Sequence, residues 1–299
     1  MFRLRFRPPY NWKDVLAFLA PRATPGVEVV EAGSYRRSIF LNGSGGYFEL
    51  SGDASNDALM VRIQFADPCA LYLIIERIAE SLRADPMLAR RVESNPGLRV
   101  PGCWDGFELT TRAILGQQIT VKGATALAGR MVRAFGQPFS AAGNLTHLFP
   151  RPEVLADAEL GSIGLPRARA ETICALARAV CDGQIRFEGV VEPKTFLTRL
   201  CEIPGIGEWT AQYVAMRALG EPDAFPSGDL GLLRALALGN PRELERRAEA
   251  WRPWRAYAVM YLWNIDSECG VPGNRLVPPK PKKVIIEKPA FPRRAAMVL

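Results

Sequence analysis

The sequence predicts an α+β protein, in which a small β-rich N-terminal domain that also contains helices precedes an all-α region. Three observations lead to this fold class. Short β-prone runs separated by glycine and asparagine clusters are confined to residues 1–66. From residue 87 onward the apolar residues recur with the helical period instead. The composition, 48% hydrophobic and 23% charged, is that of an ordinary globular protein.

The N-terminal domain is predicted to span residues 1–86. Its candidate strands are residues 2–6, 38–41, 47–50 and 58–65. The segment 42–46, with the sequence NGSGG, is expected to be a turn because glycine and asparagine enter turn conformations at little steric cost. Residues 12–19 and 68–82 show amphipathic helical patterns and are expected to cover the sheet.

The all-α region is predicted to span residues 87–274. Its candidate helices are residues 87–93, 106–115, 121–135, 153–158, 168–182, 194–202, 208–219, 230–238 and 241–265. Residues 275–299 are rich in proline and lysine and have no apolar periodicity, which predicts a disordered basic tail.

The chain carries a net charge of +7, which would suit a polyanionic partner. Seven basic residues and one acidic residue lie within 275–299, however, so residues 1–274 carry a net charge of only +1. Binding of a nucleic acid by the folded part therefore has to be argued from local features. The tail is expected either to add weak nonspecific attraction or to have no role.

The cysteines and the single histidine argue against a metal centre. The six cysteines form no CxxC pair, so a zinc site is not expected, and their scatter is typical of reduced thiols in a cytosolic protein. The basic N-terminus lacks the apolar core of a signal peptide, and no apolar run is long enough to span a membrane. The expectations are a cytoplasmic monomer without a cofactor.

The most informative segment is residues 203–211, with the sequence IPGIGEWTA. Its two glycines, Gly205 and Gly207, allow a tight hairpin with positive φ angles. A predicted helix follows at 208–219, so the hairpin presents backbone N–H groups at a helix N-terminus. Because an anion is favoured there, the segment is typical of a site that grips a phosphate.

Asp229 follows this hairpin at a short distance and comes directly before the predicted helix 230–238. The helix dipole favours the ionised form of a carboxylate at that position. Two roles are open: a plain N-cap, because aspartate is common at helix starts, or a carboxylate with a chemical function. The hairpin upstream favours the second.

The hairpin and Asp229 together resemble the helix-hairpin-helix superfamily of DNA base-excision glycosylases, and the resemblance narrows to the bacterial 3-methyladenine DNA glycosylase II (AlkA) type. It covers the chain up to about residue 275 and implies an antiparallel N-terminal sheet with helices, two helical subdomains that flank an active-site cleft, and Asp229 as the catalytic aspartate. Further sequence blocks carry it in the same order: 8–12 (PPYNW), 98–103 (LRVPGC), 113–117 (AILGQ) and 251–258 (WRPWRAYA).

The implied reaction is hydrolysis of the N-glycosidic bond of alkylated purines, such as 3-methyladenine and 7-methylguanine, in double-stranded DNA. A carboxylate near the sugar stabilises the oxocarbenium-like transition state and orients the attacking water, which is the role implied for Asp229. Relatives with lyase activity carry a nucleophilic lysine after the hairpin, where this chain has Trp209. A monofunctional enzyme that leaves an abasic site is therefore predicted.

The base-binding pocket is implied to be aromatic. Alkylation at a ring nitrogen makes a purine cationic, and an indole face attracts a cation by ~0.5–2 kcal/mol. For each of the four aromatic residues that the resemblance implies, the alternative role is core packing. Core packing also fits the apolar helix faces on which Tyr213 and Trp263 are predicted. The four implied pocket residues are Phe18, Trp209, Tyr213 and Trp263.

A base must leave the duplex before it can be cut, and another residue then fills the space. Gln117 and Gln118 are expected at an exposed break between two helices, and Thr120 is expected to cap the second. The resemblance matches Gln118 to the wedge of the family, where leucine is common. The alternative for Gln118 is a polar residue at a helix end.

The hairpin is implied to bind both DNA and an ion through its backbone. Its expected phosphate ligands are the amides of Gly205, Gly207 and Thr210. The positions that match a monovalent-cation site of the family, which uses main-chain carbonyls, are Cys201, Ile203 and Ile206.

Three rival functions remain at this stage. A lyase or a glycosylase for mismatched or oxidised bases would be expected to carry a lysine at position 209, and the four-cysteine cluster of the endonuclease III branch is missing from the sequence. A noncatalytic module that binds distorted DNA would depend on Asp229 for folding alone. A direct-reversal methyltransferase would need a reactive cysteine in a motif such as Pro-Cys-His, which the sequence lacks.

Overall fold

A computed structural model describes residues 2–5, 10–41, 43–53, 57–65, 100–139, 144–189 and 191–268. It confirms the α+β fold class. The predicted helices 68–82 and 87–93, the predicted domain boundary after residue 86 and the predicted tail 275–299 lie outside these residues. Within the described part of the chain, no helix is long and apolar enough to cross a membrane.

Five antiparallel strands form one sheet with the order β1-β5-β4-β3-β2, so β2 to β5 follow one another as a meander and β1 pairs with β5. Strand β5 matches the prediction residue for residue, β3 and β4 are longer than predicted, and β2 has no counterpart in the prediction. The strands are β1 (Phe2–Arg5), β2 (Glu28–Glu31), β3 (Ser34–Leu41), β4 (Ser44–Asp53) and β5 (Ala58–Phe65).

The predicted turn at 42–46 is wrong for its last three residues. These residues belong to β4 and pair with residues 39–41 of β3. Glycine is required within this strand because a Cβ atom at Gly46 would overlap the side chain of Phe65 on β5. Close packing, and not chain reversal alone, therefore explains the glycine-rich sequence.

Ten α-helices complete the described fold. Side chains at the preceding residue cap six of them, and the predicted cap by Thr120 is among these. The helices are α1 (Trp12–Leu19), α2 (Gly106–Gly116), α3 (Val121–Phe135), α4 (Pro152–Leu155), α5 (Arg167–Cys181), α6 (Pro193–Cys201), α7 (Glu208–Val214), α8 (Leu230–Ala235), α9 (Pro241–Ala248) and α10 (Arg255–Glu268).

Two predicted helices are interrupted. The predicted helix 241–265 divides into α9, a short 3-10 helix (Glu249–Trp251) and α10. The division falls at Pro253, which has no N–H to donate and forces Arg252 out of the helical conformation (ψ of 143°). The predicted helix 208–219 is α-helical only to Val214 and continues as a π-helical turn (Ala215–Leu219).

Three large hydrophobic clusters hold these elements together, and a small fourth one on α10 packs against Phe18 of α1. One lies between the sheet and α1. A second fills the space among α2 to α7, and a third is formed by α8, α9, α10 and the π-helical turn. Tyr213 on α7 packs against both helical clusters, so the helix that follows the hairpin lies between them.

Candidate active site

Asp229 lies at the start of α8 and is almost completely buried, with 6% of its surface exposed. Its Oδ1 atom accepts a hydrogen bond from the Leu232 amide at 2.9 Å, which is the geometry of an N-cap. The cap role that the sequence left open is therefore real. It accounts for one of the three hydrogen bonds that this carboxylate accepts from the described residues.

The other two donors are the indole N–H groups of two predicted pocket residues. Trp263 Nε1 donates to Asp229 Oδ1 at 3.0 Å, and Trp209 Nε1 donates to Asp229 Oδ2 at 3.0 Å. An ionised carboxylate is an acceptor at both oxygens, so the three N–H groups fix its orientation. Within the described part of the chain, Oδ2 accepts one bond, from Trp209, and keeps lone-pair capacity for a further ligand.

The four predicted pocket residues come together beside this carboxylate, and we call them the aromatic box. Trp209 and Tyr213 stack with their ring centroids 5.5 Å apart, and Phe18 and Trp263 stack at 6.4 Å. Tyr213 and Trp263 join the two stacks in a tilted contact at 6.2 Å. The box thus combines residues of α1, α7 and α10, so both the N-terminal domain and the helical region contribute to it.

Two arginines that the sequence analysis missed support the box. Arg217 is buried on the π-helical turn and donates to Tyr213 Oη at 2.9 Å, and its other donors bind the carbonyls of Pro101 and Gly102. The guanidinium of Arg22 lies 3.9 Å from the ring centroid of Phe18. The sequence signal for Arg217 was its place one turn after Tyr213, which is weak.

The pKa values of Tyr213 and Arg22 are shifted in this environment. Burial raises the pKa of Tyr213, but the positive charges of Arg217 and Arg22 outweigh it and hold that pKa below its ordinary value. Burial lowers the pKa of Arg22 to about 10. Arg22 therefore stays charged at neutral pH, and the Phe18 end of the box is electropositive.

The hairpin has the predicted positive φ angle at one of its two glycines. Gly205 has a φ of +90°, whereas Gly207 has a φ of −96°, so the predicted positive φ angle is wrong for Gly207. Gly207 immediately precedes α7 and has no side chain that could cap it. The first amides of α7 therefore have no side-chain partner and are open to an anion. Thr210, whose backbone amide is an expected phosphate ligand, is 2% exposed, and its hydroxyl accepts a hydrogen bond from Gln117.

Gly205→Ala is expected to destabilise the protein by about 1–3 kcal/mol and to weaken duplex DNA binding, because alanine is strained at a positive φ angle. In addition, the new methyl group would overlap the Thr172 hydroxyl. Gly207→Ala is the matched control, since a Cβ atom there meets no neighbour within 4 Å. Melting curves and DNA-binding isotherms of both variants check the prediction, and equal losses in the two would contradict it.

The two glutamines lie between α2 and α3, as predicted, but they face different ways. Gln118 is exposed and adopts a left-handed conformation with a φ of 57°. Gln117 turns its side chain toward the hairpin, where Nε2 donates to the Gly205 carbonyl at 3.0 Å and to Thr210 Oγ1 at 3.2 Å. The side chain of Gln117 therefore bonds to the protein itself in this conformation.

The carbonyls implied for a cation lie at the end of α6 and in the hairpin. The Ile203 carbonyl accepts a hydrogen bond from the Ile206 amide at 3.0 Å and retains its second lone pair. Such oxygen ligands suit a hard cation, so these residues fit the group. Among the described residues, no cluster of histidine, cysteine, aspartate or glutamate side chains has the arrangement of a metal site.

Comparisons with known proteins extend this description. Residues 1–105 match the family described as the AlkA N-terminal domain, and residues 111–255 match the HhH-GPD superfamily of base excision DNA repair proteins. The chain is 33% identical over 277 residues to DNA-3-methyladenine glycosylase 2 of Escherichia coli, and the alignment covers 89% of this chain and 98% of that protein.

A second relative is longer than this chain. The probable bifunctional transcriptional activator/DNA repair enzyme AlkA of Mycobacterium tuberculosis is 39% identical over 277 residues, which cover 87% of this chain but 56% of that protein. Among solved structures, a 3-methyladenine DNA-glycosylase from Archaeoglobus fulgidus has a TM-score of 0.79 at 24% identity, with 91% of this chain and 100% of that chain covered. The two proteins therefore share a fold over the aligned 91% of this chain.

Proposed function

The chain belongs to the AlkA-type family of the HhH-GPD superfamily of base excision DNA repair proteins, and on that premise we propose that it is a monofunctional DNA glycosylase for alkylated purines in duplex DNA. The observation that carries the proposal is the buried Asp229 carboxylate, held by the indole N–H groups of two box residues. A plain N-cap has no need of these two further donors.

The reaction follows from the placement of this carboxylate. A damaged nucleotide leaves the duplex and its base stacks on the aromatic box. The N-glycosidic bond breaks with its electron pair on the base, while Asp229 stabilises the positive charge that develops on the sugar. Water adds at C1′ and gives its proton to the carboxylate or to solvent, and Oδ2 keeps capacity to orient that water. The products are the free base and an abasic site.

Substrate selection is proposed to combine leaving-group chemistry with the charges around the box. A purine such as 3-methyladenine or 7-methylguanine carries a positive charge, which makes it a good leaving group and attracts it to an indole face by ~0.5–2 kcal/mol. Arg22 and Arg217 lie over Phe18 and oppose a cation at that end. The cationic base is therefore expected on the face of Trp209 that Tyr213 does not cover, and not on Phe18.

Lyase chemistry would require an amine that attacks the sugar. Trp209 occupies the position after the hairpin where lyase relatives carry lysine, and its N–H group bonds to Asp229. The abasic strand is therefore proposed to remain intact. A monovalent cation on the carbonyls of Cys201, Ile203 and Ile206 would add positive charge beside the phosphate grip without taking part in bond cleavage.

The test is base release from a duplex that contains one alkylated purine, with the unmodified duplex as the control substrate. We expect free base from the first duplex alone, strand breaks only after alkali, and no covalent complex when borohydride is added. Nicks before alkali or a trapped complex would indicate a lyase, and binding without release would indicate a noncatalytic module. Transfer of the methyl group to the protein would indicate direct reversal.

A further inference from the structure

Helix α5 contacts both the loop before α3 and the hairpin. Arg169 and Thr172 are three residues apart and so lie on one face of this helix. Arg169 Nη2 donates to the carbonyl of Gln117 at 2.7 Å, just before Gln118. Thr172 Oγ1 lies 2.9 Å from the carbonyl of Pro204, at the tip of the hairpin, and 2.9 Å from that of Ala168 on its own helix, so its single proton is shared between the two.

A third connection joins the two loops directly. Gln117 Nε2 donates to the Gly205 carbonyl at 3.0 Å and to Thr210 Oγ1 at 3.2 Å. Helix α5, the loop before α3 and the hairpin thus form a closed triangle of hydrogen bonds, which we call the brace. Its residues are Gln117, Arg169, Thr172, Pro204, Gly205 and Thr210.

The brace acts on the backbone at Gln118. The hydrogen bond from Arg169 to the Gln117 carbonyl fixes the oxygen of the peptide unit between Gln117 and Gln118. The orientation of that peptide plane restricts the φ angle of Gln118. A residue with a side chain holds a left-handed conformation only when its surroundings enforce it. A charged donor is suited to this task because its hydrogen bond to a carbonyl is stronger than that of a neutral group.

The position of Arg169 separates it from an ordinary surface arginine. Burial lowers the pKa of Arg169, and none of the described carboxylates shifts that pKa in either direction. Arg167, two residues earlier on the same helix, is exposed and forms an ion pair with Glu171 at 2.7 Å. The charge of Arg169 is thus directed to the loop, whereas the charge of Arg167 is neutralised on its own helix.

We propose that Arg169 and Gln117 are positioning residues that hold the exposed Gln118 side chain at a fixed distance from the hairpin, so that the wedge enters the duplex in the same step in which the hairpin grips the phosphate. This inference rests on the proposed glycosylase function. It predicts that the brace matters for base flipping and is dispensable for bond cleavage, because it lies on the loops that hold DNA and makes no bond to Asp229.

The experiment compares two duplexes that contain the same alkylated purine. In one the damaged base faces its complementary partner, and in the other it faces an abasic-site analogue, which lowers the cost of flipping. Arg169→Met is expected to lower kcat/KM for the paired duplex by about tenfold or more and to change that of the second duplex less than about threefold. Arg167→Met is the matched control and is expected to leave both values unchanged.

A second readout does not depend on bond cleavage. Fluorescence of 2-aminopurine placed beside the damaged base reports unstacking when saturating protein is added, and Arg169→Met is expected to reduce this signal while Arg167→Met retains it. Gln117→Leu removes another edge of the brace and is expected to reproduce the selective loss, so it carries the test if Arg169→Met does not fold. Melting curves identify that case.

The outcomes separate the inference from the proposed function. Equal losses on both duplexes, or no loss on either, would overturn the positioning role. If wild type unstacks the probe but releases no base, the proposed function fails, while the dependence of the probe signal on Arg169 still decides the inference. Arg169→Lys restores one charged donor. Recovery of kcat/KM for the paired duplex in this variant would support the positioning role further.

Discussion

Asp229→Asn is expected to reduce the rate of base release by about 10²- to 10⁴-fold under single-turnover conditions, with duplex binding retained. The substitution removes the negative charge that faces the sugar as positive charge develops there. It keeps an oxygen that can cap α8 through the Leu232 amide, so the helix start is preserved. The measurements are base release at saturating enzyme and an independent DNA-binding isotherm.

The same substitution has a structural cost that can be separated from the catalytic one. The new amide group would place its N–H donors against the indole N–H of Trp209, which now donates to Oδ2. Two opposed donors cost about 1–3 kcal/mol of stability when buried. Combining Asp229→Asn with Trp209→Phe removes one donor and is expected to restore part of that stability without restoring activity.

This pair of variants makes the interpretation specific. Recovery of base release together with stability in the double variant would mean that Asp229 acts through folding alone and that another group carries the chemistry. Asn240→Ala serves as the control for a lost cap, because Asn240 caps α9 at an exposed site through the Glu243 amide. We expect it to leave base release unchanged.

Elements with local signals could be predicted from the sequence. Helix α3 begins and ends as predicted because Thr120 caps it and its apolar residues keep the helical period. Strand β5 also matches its prediction. Strand β2 was missed because its sequence, EVVE, is short and carries charged ends whose partners lie elsewhere in the fold. The split of the predicted helix 241–265 at Pro253 could have been predicted, since proline interrupts the helical hydrogen bonds.

The contacts of the candidate site could be predicted only in part. The resemblance brought Phe18, Trp209, Tyr213 and Trp263 to one pocket, and the described structure brings these residues together. The resemblance did not indicate that the indoles of Trp209 and Trp263 would both donate to Asp229, because these hydrogen bonds join side chains 20 and 34 residues apart in the sequence. No local period encodes such a distance. Arg217 was missed for the same reason.

A buried ionic cluster between the sheet and α2 was likewise outside the reach of sequence patterns. Glu28 on β2 accepts hydrogen bonds from Arg112 at 2.7 Å and from Tyr35 Oη at 2.5 Å, and Arg37 on β3 binds Glu108 at 2.6 Å. Glu28, Arg37 and Glu108 are all more than nine-tenths buried. Because α2 leads directly to Gln117, this cluster attaches the sheet to the helix that ends at the wedge loop.

Glu28→Gln is therefore expected to lower the free energy of unfolding by about 3–5 kcal/mol at neutral pH, since it removes one of the two buried carboxylates, Glu28 and Glu108, that pair with Arg37 and Arg112. Glu31→Gln is the matched control on the same strand. Glu31 pairs with Arg36 at an exposed position, where loss of the pair costs about 0–1 kcal/mol. Chemical denaturation of both variants gives the comparison, and a similar small loss in each would show that the buried pair contributes no more than the exposed one.

The pH dependence of this difference provides a sharper test than its size. Burial by itself would raise the pKa of Glu28, but Arg112 and Arg37 outweigh it and lower the pKa from 4.5 to about 2. Glu28 therefore contributes stability that is fully present above pH 4.5 and is lost as the pH falls toward 2. Burial raises the pKa of Glu108, and the negative charge of Glu28 adds to that rise, so Glu108 opposes this trend more in the wild type than in Glu28→Gln. The stability difference between wild type and Glu28→Gln should thus shrink with acidification, and a constant difference from pH 7 to pH 3 would contradict the role of the ionised Glu28.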